Sequence, residues 1–102
     1  MIRCLEESRS VLAEVCRRYR VVRLEVFGSA ATAVADTQAH DLDFLVEFQP
    51  ESPMGPFRQY FDFLDELQRL FGRDVDLVEE QALKNRHFIK AVNATRKLVY
   101  AA

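Results

Sequence analysis

Residues 41–48 read Asp-Leu-Asp-Phe-Leu-Val-Glu-Phe, with Leu42, Phe44, Val46 and Phe48 recurring at every second position on one side. A period of two over this length specifies a strand with one buried face. The same alternation puts Asp41 and Asp43 together on the other face, about 7 Å apart along the strand. Two carboxylates so placed repel unless a proton or a cation comes between them. Residues 73–79 repeat the arrangement, with Asp74 and Asp76 on one face and Val75 and Leu77 on the other. If the two strands pair, Asp76 is the better placed of its pair to join Asp41 and Asp43 in a three-carboxylate site.

The rest of the chain supplies a sheet and its cover. Leu5, Leu12, Val15, Cys16 and Tyr19 recur at helical spacing, which predicts a helix over 2–19. Residues 21–27 alternate as a strand, with Val22, Leu24 and Val26 on one face and Arg23, Glu25 and Phe27 on the other. Gly28-Ser29 ends that strand, and the alanines that follow predict a brief helix entered through Ser29. Residues 49–56 hold all three prolines and read as a loop. Beyond them Phe57, Tyr60, Phe61, Leu64, Leu67 and Phe71 mark a helical core stripe that Gly72 stops. A helix near 86–95 and a short strand at 97–100 complete the order. Helices alternating with strands imply a central sheet covered by helices.

With 102 residues, the chain is expected to form a single domain, 1–102. Its apolar runs are too short for a membrane span of ~18–20 residues, and no secretory leader is recognisable. Cys4 and Cys16 fall on one predicted helix, roughly 18 Å apart and out of disulfide reach. Without other ligand types near them they offer no zinc site. The expectation is a reduced, cytoplasmic protein. Charge is uneven: residues 1–40 sum to +1, residues 41–80 to −8 and residues 81–102 to +5. A domain that coats a nucleic-acid backbone is basic over a face, so direct nucleic-acid binding is not expected.

The acidic middle suits a divalent cation. Magnesium takes hard oxygen ligands, commonly one or two carboxylates together with nucleotide phosphates. Three carboxylates can serve two cations that clamp the attacking and leaving oxygens of a phosphoryl displacement. Gly28 and Ser29 fit the anionic side of such chemistry: glycine lets backbone approach a phosphate, and the serine donates a hydroxyl. His40 and His87 read as loop and surface residues, and the aromatics of the 57–71 stripe as core.

The segment FGSAATAVADTQAHDLDFLVEF resembles the signature of the minimal nucleotidyltransferases, small members of the DNA polymerase β-like nucleotidyltransferase superfamily. Gly28, Ser29, Asp41 and Asp43 match its pattern, and Asp76 in VDLV matches the third carboxylate. The resemblance implies an α+β fold, a small mixed sheet flanked by helices. It also implies transfer of a nucleoside monophosphate from a triphosphate, ATP, with Mg2+ held by Asp41, Asp43 and Asp76 and the nucleotide by Gly28 and Ser29. Many relatives read Gly-Ser-x-Ala-Arg-Gly, where this chain has Thr32 and Ala33, and the serine before their Asp-x-Asp is His40 here. Lys84, Arg86 and Lys90 are candidates to replace the missing arginine charge.

Minimal nucleotidyltransferases are commonly encoded with a small HEPN-domain ribonuclease toxin, which they neutralise by moving AMP onto one of its tyrosines. The resemblance therefore implies an antitoxin with a HEPN-domain partner. The alternative is a non-catalytic antitoxin or nucleotide-binding module that neutralises its partner by occlusion.

Overall fold

The computed structural model describes residues 1–39 and 41–102, with backbone only at Gln38. The expectations attached to His40 lie outside the described residues. The elements are α1 (Arg3–Glu7), α2 (Arg9–Arg18), β1 (Val21–Phe27), α3 (Ser29–Thr32), β2 (Leu42–Phe48), α4 (Pro56–Phe71), β3 (Val75–Glu79), α5 (Arg86–Thr95) and β4 (Lys97–Ala101). Single 3-10 turns occupy Asp36–Gln38 and Glu80–Ala82. The four strands form one mixed sheet in the order β3-β2-β1-β4. β1 runs antiparallel to both β2 and β4, while β2 and β3 are parallel and joined through α4. This is the expected α+β architecture.

One face of the sheet carries the main core. Leu24, Val26, Leu42, Phe44, Val46, Val75 and Leu77 meet the inner sides of α1, α2 and α4 there. The opposite face has a smaller cluster, Phe27, Leu45 and Val92, closed by α5. No helix is long and apolar enough to cross a membrane among the described residues.

Three sequence expectations need correction. The helix over 2–19 is two helices that meet at Ser8, whose φ and ψ are −96° and 7°. The cause lies at its start, where the first free amides are committed elsewhere. Ile2 N–H donates to Ala30 O, Arg3 N–H to Val34 O and Cys4 N–H to Asp36 Oδ1, so α1 leans onto the segment around α3.

In β1 the register shifts between Val21 and Arg23, and Val21 rather than Val22 joins Leu24 and Val26 in the core. A bulge of this kind reverses the facing of every residue before it.

The stripe of α4 is also rotated. Phe57 and Phe61 are 74% and 48% exposed, whereas Gln59, Phe63 and Leu67 are buried. Gln59 turns inward because its side-chain amide donates to Tyr19 O at 2.7 Å. Phe63 is held between Tyr19 and Phe48, with ring centroids 5.7 Å from each. Tyr60, Leu64 and Phe71 do pack against the core, and Gly72 stops the helix with a φ of 62°.

Candidate active site

The sheet brings the acids together by register. Asp43 is the second residue of β2, and Asp76, the second residue of β3, lies directly opposite it in the parallel pair. On the other side Asp43 stands opposite Phe27, the last residue of β1. The site therefore occupies the end of the sheet where β1 finishes and β2 and β3 begin. Asp41 is exposed just before β2, and Asp74, also exposed, precedes β3 and accepts the Leu42 amide through its carbonyl. Arg73 donates to Ala39 O and ties down the approach to Asp41.

Asp43 is pushed up to about 6, first by burial, then by its hydrogen bond with Asp76, then by the charges of Asp76 and Asp41. Protonated, Asp43 donates to the Asp76 carboxylate. Such crowding of like charge marks a site where a cation or proton must be shared. Among the described residues, no three His, Cys, Asp or Glu side chains are already drawn together into a metal-holding group. The close unit is Asp43 with Asp76, and Asp41 contributes its charge from the mouth. All three offer hard oxygens, which fits Mg2+ whose remaining ligands come from phosphates and water.

Gly28 stands over this pair. Its φ of 71° and ψ of −151° lie outside the comfortable range of other residues. A Cβ there would come within 2.8 Å of Asp43 Oδ2. Gly28 N–H donates to Thr95 Oγ1 at 2.8 Å, and Gly28 O accepts from Ala31 and Thr32. α3 spans only four residues, so it presents local amides without an appreciable macrodipole. Exposed Ser29 heads it, and the amides of Ser29 and Ala30 have no protein acceptor among the described residues. Thr32 is exposed, its hydroxyl near Gly28 O and Ser29 O.

A cavity of about 380 Å³ opens beside the two acids, walled by Phe27, Phe88, Tyr60 and Leu64. Phe88 meets Phe27 edge-on at 6.0 Å. A larger cavity, about 680 Å³, lies at the far end of β2 and β3 among Glu47, Glu51, Glu79 and Glu80. Its charged lining is mostly acidic, whereas the smaller cavity borders Asp43 and Asp76 directly. Lys84, Arg86 and Lys90 are exposed and make no ion pair among the described residues.

Sequence reasoning missed Thr95, Phe88 and Arg96. Arg96 bonds both Glu25 oxygens at 2.6 and 2.9 Å and Glu80 at 2.9 Å, fixing the end of α5 to β1. Each of these residues acts across a sequence separation that no local spacing reveals.

Residues 8–99 match the family described as the nucleotidyltransferase domain. The chain belongs to that family. Two relatives from Methanocaldococcus jannaschii, each provisionally named a protein adenylyltransferase, are 35% and 29% identical over 88 residues, covering 86% of this chain and 83% of theirs. A solved structure provisionally titled a minimal nucleotidyltransferase superposes with a TM-score of 0.71 at 29% identity, over 91% of this chain and 90% of that one. This nucleotidyltransferase domain also shares its fold with a complex described as tri-AMPylated Shewanella oneidensis HEPN toxin with MNT antitoxin. There the TM-score is 0.63 at 15% identity, over 96% of this chain and 73% of that one.

Proposed function

We propose that this chain is a Mg2+-dependent adenylyltransferase that moves AMP from ATP onto a hydroxyl of a partner protein, acting as the antitoxin of a HEPN-domain toxin. The observation that carries the reading is the register of Asp43 against Asp76 beneath Gly28. It sets two carboxylates beside the Gly28-Ser29 turn at one end of the sheet. The names of the relatives and the toxin complex that shares the fold support the substrate and partner.

Asp41, Asp43 and Asp76 would hold Mg2+, and bound Mg2+ would offset the charge of the triphosphate and of the departing pyrophosphate. The hydroxyl and the free amide of exposed Ser29 would bind phosphate oxygens. Gly28, having no Cβ, leaves the Asp43 carboxylate its place beside them. In-line transfer needs the acceptor oxygen about 3–3.5 Å from the α-phosphorus. Exposed Asp76 would accept the proton of the incoming hydroxyl, for which a tyrosine is suited. The described residues leave Asp41 and Asp76 open to solvent, so the acceptor can be positioned by a docked protein. AMP added there would set bulk and negative charge on the toxin, which opposes RNA binding.

The test is incubation with a cognate HEPN-domain protein, ATP and Mg2+. One AMP mass on a partner tyrosine is expected, and its loss in Asp41→Ala, Asp43→Ala. The presence of Thr32 and Ala33 at the positions of the family's Arg and Gly favours a second reading, neutralisation by occlusion. Full neutralisation by the double variant, with no mass gain from the wild type, would establish that reading instead.

A further inference from the structure

β3 is an edge of the sheet. Leu42 N–H donates to Asp74 O, so Asp74, Asp76 and Val78 turn their backbone groups toward β2. Val75, Leu77 and Glu79 therefore turn theirs outward. Among the described residues Tyr60 donates its hydroxyl to Leu77 O, and the Glu79 carbonyl opens the 3-10 turn over Glu80–Ala82, which leaves the Val75, Leu77 and Glu79 amides facing out. An open edge is a template for another strand.

The cavity beside the acids has a shape that suits this. Its lining comes from both faces of the sheet: Phe27, Asp43, Asp76 and Phe88 on the α5 face, Tyr60 and Leu64 on the α4 face. It wraps the β3 edge instead of sitting on one face. The exposed rings of Phe61 and Phe57 continue the Tyr60 wall, with centroids 5.0 Å and 4.6 Å apart in succession. Asp74, Asp76 and Glu79 pair with no cation among the described residues. The whole 41–80 stretch sums to −8.

We propose that the β3 edge is the acceptor-docking site, and that its occupant is a basic, extended segment of the acceptor protein that adds to the sheet as a fifth strand. The proposal deepens the adenylyltransferase reading and rests on it. Strand addition derives affinity from main-chain hydrogen bonds and specificity from alternate side chains. A residue of the added strand opposite Asp76 projects onto the same face, with Cβ atoms about 4.5–5.5 Å apart. A hydroxyl at that position reaches the acids, and its neighbours along the segment meet Tyr60, Leu64 and the Phe57–Phe61 ridge. Basic side chains answer the unpaired carboxylates.

The probe is the nonapeptide Lys-Val-Lys-Val-Tyr-Val-Lys-Val-Lys, with its Glu-for-Lys counterpart as control. In 15N-labelled protein the basic peptide should slow hydrogen exchange of the Leu77 and Glu79 amides at least tenfold, with or without nucleotide. With ATP and Mg2+ its tyrosine should gain AMP at least tenfold faster than the acidic peptide's. Glu79→Pro removes one outward N–H at a residue whose φ of −77° already suits proline. It should slow transfer at least fivefold more than Glu79→Ala, which removes the same carboxylate and keeps the N–H. Unchanged exchange at these amides, or equal transfer to both peptides, overturns edge docking. Failure of the wild type to bind ATP with Mg2+ overturns the adenylyltransferase reading instead, and the nucleotide-free exchange measurement still decides the docking site.

Discussion

A Cβ added to Gly28 would stand 2.8 Å from Asp43 Oδ2, so the glycine exists in part to leave room for a carboxylate. Its positive φ adds a second reason, since a side chain there is strained. Gly28→Ala is expected to displace Asp43 and weaken binding of ATP with Mg2+ about tenfold, equivalent to about 1.4 kcal/mol. The fold survives, because the clash is with the end of one side chain. Calorimetric titration checks this; wild-type affinity would reduce Gly28 to a turn residue.

Thr95 holds the same glycine from the opposite direction, through the 2.8 Å bond from Gly28 N–H. Thr95→Val leaves that amide without its acceptor, at a cost of about 1–3 kcal/mol. Thr95→Ser restores the acceptor. Valine should weaken nucleotide binding severalfold and serine should recover most of it. Equal affinity of the two variants would show that Thr95 only packs.

Asp43 makes the nucleotide-free fold sensitive to pH. Its ordinary value of 3.8 rises to about 6 in the fold. The folded chain therefore holds the proton more tightly than the unfolded one. The associated stability is fully present below about pH 4 and is lost as pH rises toward and through 6. Because the group is only partly buried, solvent screening reduces the effect to about 1 kcal/mol. Asp43→Asn should raise the melting temperature at pH 7.5, lose that advantage at pH 4, and abolish transfer. Melting curves across this range decide; an equal shift at both pH values would mean that the cost of ionising Asp43 is not the cause.

Arg96 carries the opposite linkage. Its hydrogen bonds, ahead of its charge, hold the Glu25 carboxyl below the usual carboxylate value. That stability is present above the unfolded value and disappears as pH falls through the folded one. Arg96→Ala leaves Glu25, buried at 7% exposure, without its fork. A loss of about 3 kcal/mol is expected near neutrality, and a smaller loss in acid. Denaturant unfolding at the two pH values measures it.

The strands at 21–27 and 41–48 were legible from their alternation, and the helix expected near 86–95 is α5. Gly72 stopped α4 as its position suggested. The α4 stripe was misread because Phe57, Phe61 and Phe63 are equally apolar. Tertiary partners set which side turns inward: the Tyr19 carbonyl that accepts from Gln59, and the Tyr19 and Phe48 rings that enclose Phe63. The break at Ser8 was invisible for a similar reason, since the acceptors that bend α1 belong to Ala30, Val34 and Asp36.

The candidate site divides the same way. Alternation alone placed Asp41 with Asp43 and Asp74 with Asp76, because side chains on a strand must repeat every second residue. Which acid faces Asp43 is a matter of strand order and register, and the parallel pairing of β2 with β3 assigned it to Asp76. The contact of Gly28 with Thr95, the Phe88 wall and the open edge of β3 arise from packing α5 and α4 on opposite faces of one sheet. Such contacts join residues far apart in the chain, so no local pattern encodes them, and only tertiary structure decides them.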